Sequence, residues 1–122
     1  MFQQITIIGN LGNDPKFSYT PTGLEVCSFS LATNRKHKDG SDDKLWFSVS
    51  VFGVQAKPCS EYLRKGSLVH VIGGLKGNEN GNPHTYTKSD GSIGSTFNIT
   101  ARQVNFLDRG PHDEELDEEQ TW

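Results

Sequence analysis

The chain has no apolar run approaching the roughly 18 residues that a membrane-spanning helix needs. Its start, Met1-Phe2-Gln3-Gln4, lacks the basic opening and long apolar stretch of a secretory signal. A cytoplasmic location without membrane association is therefore expected. Only two cysteines occur, Cys27 and Cys59, and neither lies in a CxxC pair. They are expected to be reduced thiols rather than a disulfide or a metal site. Alanine occurs only three times, whereas Val, Ile, Thr, Phe, Tyr and Trp total 34 of 122 residues. That balance favours strands over helices. A GxGxxG run is missing, and Gly73-Gly74-Leu75-Lys76-Gly77 has neither the spacing nor the Ser/Thr of a phosphate loop. Asp42 and Asp43 have no His or Ser partner at persuasive spacing, so no catalytic residue, cofactor or metal is expected.

The charges that are present are segregated. Residues 1–111 carry all 12 Lys and Arg against 9 acids, a balance of +3. Residues 112–122 carry 6 acids and no Lys or Arg, a balance of −6. A basic body with an acidic tail fits a domain that binds a polyanion and a separate interacting or self-shielding segment. The expected division is a folded domain over 1–107 and an acidic, disordered tail over 108–122.

Along the body, short alternating stretches are separated by Gly, Asp and Asn turns. A first strand runs from Gln4 to Gly9. A second begins near Phe17, breaks at Thr20-Pro21-Thr22-Gly23 and resumes from Glu25 to Asn34. Asp39-Gly40 and Lys88-Ser89-Asp90-Gly91 are hairpin signals. The third strand, Leu45 to Phe52, places Leu45, Phe47, Val49 and Val51 on a core face. Trp46, Ser48, Ser50 and Phe52 fall on the other face, mostly polar but carrying two large rings. A short helix is expected over Gln55 to Leu63, trimmed by Pro58 and stopped by Arg64-Lys65-Gly66. A fourth strand spans Leu68 to Lys76. Gly77 to Pro83 reads as a flexible interruption. A fifth strand runs from about Ser95 to Phe106, with Phe97, Ile99 and Ala101 on one face. This order predicts an all-β OB-fold: a five-stranded Greek-key barrel with one short helix between strands three and four and long hairpin loops. Other small barrels share the periodicity.

Exposed aromatic plates among dispersed cations are what a single nucleic-acid strand requires, since base faces and phosphates do not depend on sequence. Trp46 and Phe52 are the first candidates for stacking. The alternatives are burial of Trp46 in a subunit interface and closure of the barrel by Phe52. Tyr86 is a further candidate ring. Arg35, Lys36, Lys38, Lys76 and Lys88 are the candidate phosphate partners; on hairpin tips they also serve solubility. Arg64 and Lys65 read as helix caps, and His70 and Cys27 as structural.

Five blocks carry a resemblance: Ile8-Gly9-Asn10-Leu11-Gly12-Asn13-Asp14-Pro15, Tyr19-Thr20-Pro21-Thr22-Gly23, Phe29-Ser30-Leu31-Ala32-Thr33, Trp46-Phe47-Ser48-Val49-Ser50-Val51-Phe52-Gly53 and Glu61-Tyr62-Leu63-Arg64-Lys65-Gly66-Ser67. In order and spacing they resemble the bacterial-type single-stranded-DNA-binding family, over residues 1 to about 107. The resemblance implies sequence-tolerant binding of single-stranded DNA in replication, recombination and repair, and a homotetramer assembled partly through the first strands. It puts Trp46 and Phe52 on stacking positions, and His37 where the family often has a Trp. A further family Trp after strand four has no aromatic counterpart in Lys76-Gly77-Asn78-Glu79-Asn80. The tail, with Asp117, Glu118, Glu119 and Trp122, keeps an acidic run and a terminal aromatic but lacks the family's Pro-Phe ending. It is a candidate docking segment for replication and repair proteins, and a phage- or plasmid-type origin fits. The rival function is an OB-fold interaction adaptor or primosomal accessory protein with weak DNA binding.

Overall fold

The computed structural model describes residues 1–107. Seven strands alternate with one helical segment: β1 (Ile5–Leu11), β2 (Lys16–Tyr19), β3 (Glu25–Lys36), β4 (Asp42–Phe52), α1 (Ala56–Tyr62), β5 (Leu68–Lys76), β6 (His84–Thr87) and β7 (Ile93–Phe106). The hydrogen-bonded order is β1-β5-β7-β4-β3, and β1 also meets β3 through Asn10–Ala32 and Leu11–Leu31. The ladder therefore returns to its starting strand and closes a five-stranded barrel, as expected for an OB-fold. The contact with β3 covers only the end of β1; among the described residues Ile5–Gly9 pair with β5 alone. β4 and β7 pair in parallel and the other ladders are antiparallel. β2 and β6 are extra arms, pairing with β3 and β7 respectively.

Period-two alternation sets the core. Phe47, Val49 and Val51 of β4 face inward with Cys27, Phe29 and Leu31 of β3, Val69 and Val71 of β5 and Ile99 and Ala101 of β7. Ala56, Cys59 and Leu63 from the helical segment and its end join the same cluster. Each large apolar side chain of this set contributes on the order of 1.5–3 kcal/mol when fully buried. No polar or charged residue is buried among the described residues.

Two residues that the alternation assigns to the core face are exposed. Leu45 is 47% and Phe97 52% accessible. The β4–β7 ladder begins only at Phe47–Phe97, so both residues sit at or past the barrel rim. Phe97 instead packs its ring 5.7 Å from that of Phe47.

The helix also differs from expectation. A 3-10 turn covers Gly53–Gln55, and α1 ends at Tyr62. Pro58 lies in the first turn of α1, where its missing N–H has no helical partner to lose. Leu63 is already extended, so Arg64 and Lys65 lie beyond the helix rather than in its last turn. The Arg64 guanidinium still caps it, donating to the carbonyls of Glu61 (3.1 Å) and Leu63 (2.7 Å). Lys65 makes no such bond among the described residues; its backbone N–H bonds Asp14.

Four turns share one design. In residues 20–24, 37–41, 78–82 and 88–92 the first N–H donates to the fifth carbonyl, and the fourth residue, a glycine, donates back to the first. Those glycines, 23, 40, 81 and 91, have φ of +79° to +89°, which L side chains rarely adopt. Asp39 and Asp90 fix two of the turns by accepting the N–H and hydroxyl of Ser41 and Ser92. The segment expected to be a flexible interruption thus contains an ordered turn, with Asn78 Oδ1 accepting from Asn80 and Asn82.

Candidate functional site

Residues paired across a ladder share a face. The outward face of β4 presents Trp46, Ser48, Ser50 and Phe52, opposite Ala32, Ser30, Ser28 and Val26 of β3. On the other flank, Asn98 and Thr100 of β7 stand beside Ser48 and Ser50. β5 adds Gly74 and Lys76, paired with Thr100 and Asn98. The result is a floor of small hydroxyl and amide groups with a large ring towards each end. Six residues separate Trp46 from Phe52, about 20 Å along a strand, so the two rings serve different partners rather than gripping one.

Neither ring is sealed. Trp46 is 48% accessible and Phe52 is half-buried. The indole lies across Gly12, where a Cβ would stand 2.2 Å from its ring. The Lys44 ammonium sits 5.4 Å from the Trp46 ring centroid, and Lys76 sits 6.0 Å from that of Phe52. Each plate therefore carries its own cation. Lys76 is among the expected site residues and Lys44 is an addition. Its signal is present in the sequence: a residue two before Trp46 on a strand shares its face.

The other candidates lie on the two hairpin arms. Arg35 and Lys36 end β3, directly opposite Asp43 and Asp42. His37 and Lys38 form the turn beyond. His37 Nε2 is hydrogen-bonded to Asp43 Oδ2 at 2.6 Å. Tyr86 of β6 is exposed and stands opposite Gly94 of β7, close enough that a Cβ there would meet the phenol ring at 2.6 Å. Lys88 follows at the turn, and its Cε would lie 3.0 Å from that same Cβ. Tyr86 and Lys88 thus both lie close to Gly94, on an arm separate from β4. Asp117, Glu118, Glu119 and Trp122 lie outside the described residues.

Hydrogen bonds from Ser41 and Ser92 hold the Asp39 and Asp90 carboxyls below their usual range. Burial pushes the Cys27 thiol up to about 11. Burial, and then the neighbouring Cys27, push Cys59 up to about 12. Both thiols are neutral core groups far from nucleophilic range. No group of His, Cys, Asp and Glu among the described residues could hold a metal ion. No helix among them is long and apolar enough to cross a membrane.

Rings lying open on a cationic, hydroxyl-lined sheet are suited to a chain of flat groups joined by anions. Comparison with known proteins agrees with the fold that displays them. Residues 2–107 match the single-strand binding protein family. The chain belongs to that family. Among similar proteins, the "Single-stranded DNA-binding protein" of Xanthomonas axonopodis pv. citri is 37% identical over 108 residues, covering 85% of this chain and 57% of that protein. That of Helicobacter hepaticus is 33% identical over 119 residues, covering 94% and 66%. The "Single-stranded DNA-binding protein 3" of Clostridium acetobutylicum is 33% identical over 109 residues, covering 88% and 72%. The chain spans under two thirds of the length of the first two of these single-strand binding family members.

Proposed function

We propose that this barrel binds single-stranded DNA without sequence preference, by stacking bases on Trp46 and Phe52 and pairing phosphates with Lys44 and Lys76. The observation that carries the reading is the pair of open rings on one strand face, each with an ammonium over it. The small Ser48 and Ser50 between them let a strand lie close to the sheet. Arg35, Lys36, Lys38 and Lys88 extend the cationic track onto the arms, with Tyr86 and His37 as accessory rings. His37 is the weakest of these, because Asp43 already engages it. Binding of this kind protects single strands during replication, recombination and repair in the cytoplasm.

A homo-oligomer, a tetramer by family resemblance, belongs to the same reading. Residues Ile5–Gly9 of β1 pair with β5 on one side and have no ladder partner on the other among the described residues. Ile8 is exposed beside that open edge. A second copy would supply the missing strand. The acidic tail is proposed as the docking segment for replication and repair proteins.

Titration of the full chain with poly(dT), following tryptophan fluorescence at two salt concentrations, tests the central reading. Stoichiometric quenching that weakens with salt is the expected result. Absence of quenching and of binding would favour the interaction-adaptor function instead.

A further inference from the structure

The outward face continues past Phe52. Val51 pairs with Ala101, so Phe52 and Arg102 follow the same register pair on adjacent strands. The ladder between β5 and β7 slips at Ile72/Gly73, opposite this point, and Arg102 is exposed there. Its guanidinium carbon lies 5.5 Å from the ring centroid of Phe2. Its Nη2 donates to Gln4 Oε1 at 3.3 Å. Gln3 fastens the segment between them: its Nε2 donates to the Leu75 carbonyl at 3.3 Å, and its Oε1 accepts from the Leu75 N–H at 3.1 Å. The amide lies over Gly74, where a Cβ would come within 2.9 Å of it. The N-terminal arm is thus laid on β5 between Lys76 and the bulge. Phe2 remains 78% accessible, and no carboxylate among the described residues pairs with Arg102.

We propose that Phe2 and Arg102 form a third contact pad, which takes a base and a phosphate of the single strand as it passes beyond Phe52. The composition repeats that of Trp46 with Lys44 and Phe52 with Lys76: an accessible ring, a cation over it and no competing acid. A guanidinium on an aromatic face keeps its edge donors free, so it can stack and bind a phosphate oxygen together. The pad rests on the proposed DNA-binding face and deepens it.

The test uses the full chain with dT oligomers of increasing length, at several salt concentrations, for the wild type and for Phe2→Ala, Phe2→Trp and Arg102→Gln. Thermal melts verify folding. Phe2→Ala should weaken the longer oligomers about tenfold while leaving the shortest bound oligomers unchanged. Arg102→Gln should lower the slope of log K against log salt by about 0.7. Phe2→Trp should retain wild-type affinity and add fluorescence that long oligomers quench and short ones do not. An unchanged slope and length dependence in folded variants would overturn the pad, as would equal weakening at every length, which marks support of the fold alone. A wild type that binds no dT at any length would remove the face itself, and this is visible before any variant is made.

Discussion

The Trp46 indole rests on Gly12, with no room between them for a methyl group: a Cβ at residue 12 would fall 2.2 Å and 2.7 Å from two of its ring carbons. The glycine sets the height of the ring above the sheet. Gly12→Val should lift or turn the indole and weaken poly(dT) binding by several-fold to about tenfold, within the range of one stack removed. The Trp46 emission spectrum should shift in the unliganded protein. Wild-type affinity with an unshifted spectrum would show that the glycine has no such role.

Trp46→Ala removes the ring itself and should cost about 1–3 kcal/mol of binding, seen by a filter or anisotropy assay with labelled dT. That range comes from proteins of this very kind and is not deduced from the geometry of this barrel. The half-exposed ring contributes little to the core, so the melting temperature should fall by only a few degrees. A folded variant with undiminished affinity would exclude Trp46 from the interface.

Lys44→Ala and Lys76→Ala should each reduce the salt dependence by about 0.7 in log–log slope, because each variant leaves one phosphate without its ammonium. The double variant should show about twice that reduction, since the two cations serve different rings. Slopes equal to the wild type's would assign both lysines to holding the rings instead.

The two thiols make a separate prediction. Their pKa is raised in the folded state, to about 11 for Cys27 and about 12 for Cys59, from an ordinary value of 9.0. Stability is therefore fully present below pH 9 and falls as pH rises from there towards 11 and 12, because the unfolded chain releases protons first. Thiol reagents at pH 8 should label both residues only as fast as the protein opens. Rapid labelling of the native chain would contradict their burial.

Asp39 and Asp90 act in the opposite direction. Their carboxyls are held low by bonds from serine, so their contribution is present above the ordinary carboxylate value and is lost as pH falls through the lowered one. Asp39→Ala should loosen the turn of residues 37–41. Protection of the Ser41 amide, whose N–H bonds that carboxylate, relative to its unstructured exchange rate at the same pH, should fall in the variant and in acid. Unchanged exchange would show that Gly40 alone holds the turn.

Much of this architecture is legible in the chain because β structure repeats every two residues. Phe47, Val49 and Val51 against Trp46, Ser48 and Ser50 separate inside from outside without further information. Asp-Gly pairs mark two turns in the same way. The alternation cannot say where a barrel ends, and so Leu45 and Phe97, in perfect phase with the core, lie in the open. Nor does it reveal which strands meet. The parallel union of β4 with β7 and the return of β1 to β3 are long-range facts. Arg102 carries no local signal for that reason, since its ring lies one hundred residues away in the chain, at Phe2. Asn78 to Asn82 reads as loose because asparagine-rich segments often are. Yet Asn80-Gly81 stands where the other two turns have Asp-Gly, and the side chain of Asn78 braces the turn.

The parallel ladder has a consequence for how the protein is made. Residues 47–51 find their second neighbour only in residues 97–101, about fifty positions later. While the ribosome is still translating the intervening segment, β4 offers one bare flank and an uncovered pair of valines to solvent. Such delayed, distant pairing slows folding and lengthens exposure to aggregation. The last strand is thus the latch of the molecule: a nascent chain halted before it emerges would hold both stacking rings and yet have no finished surface on which to present them.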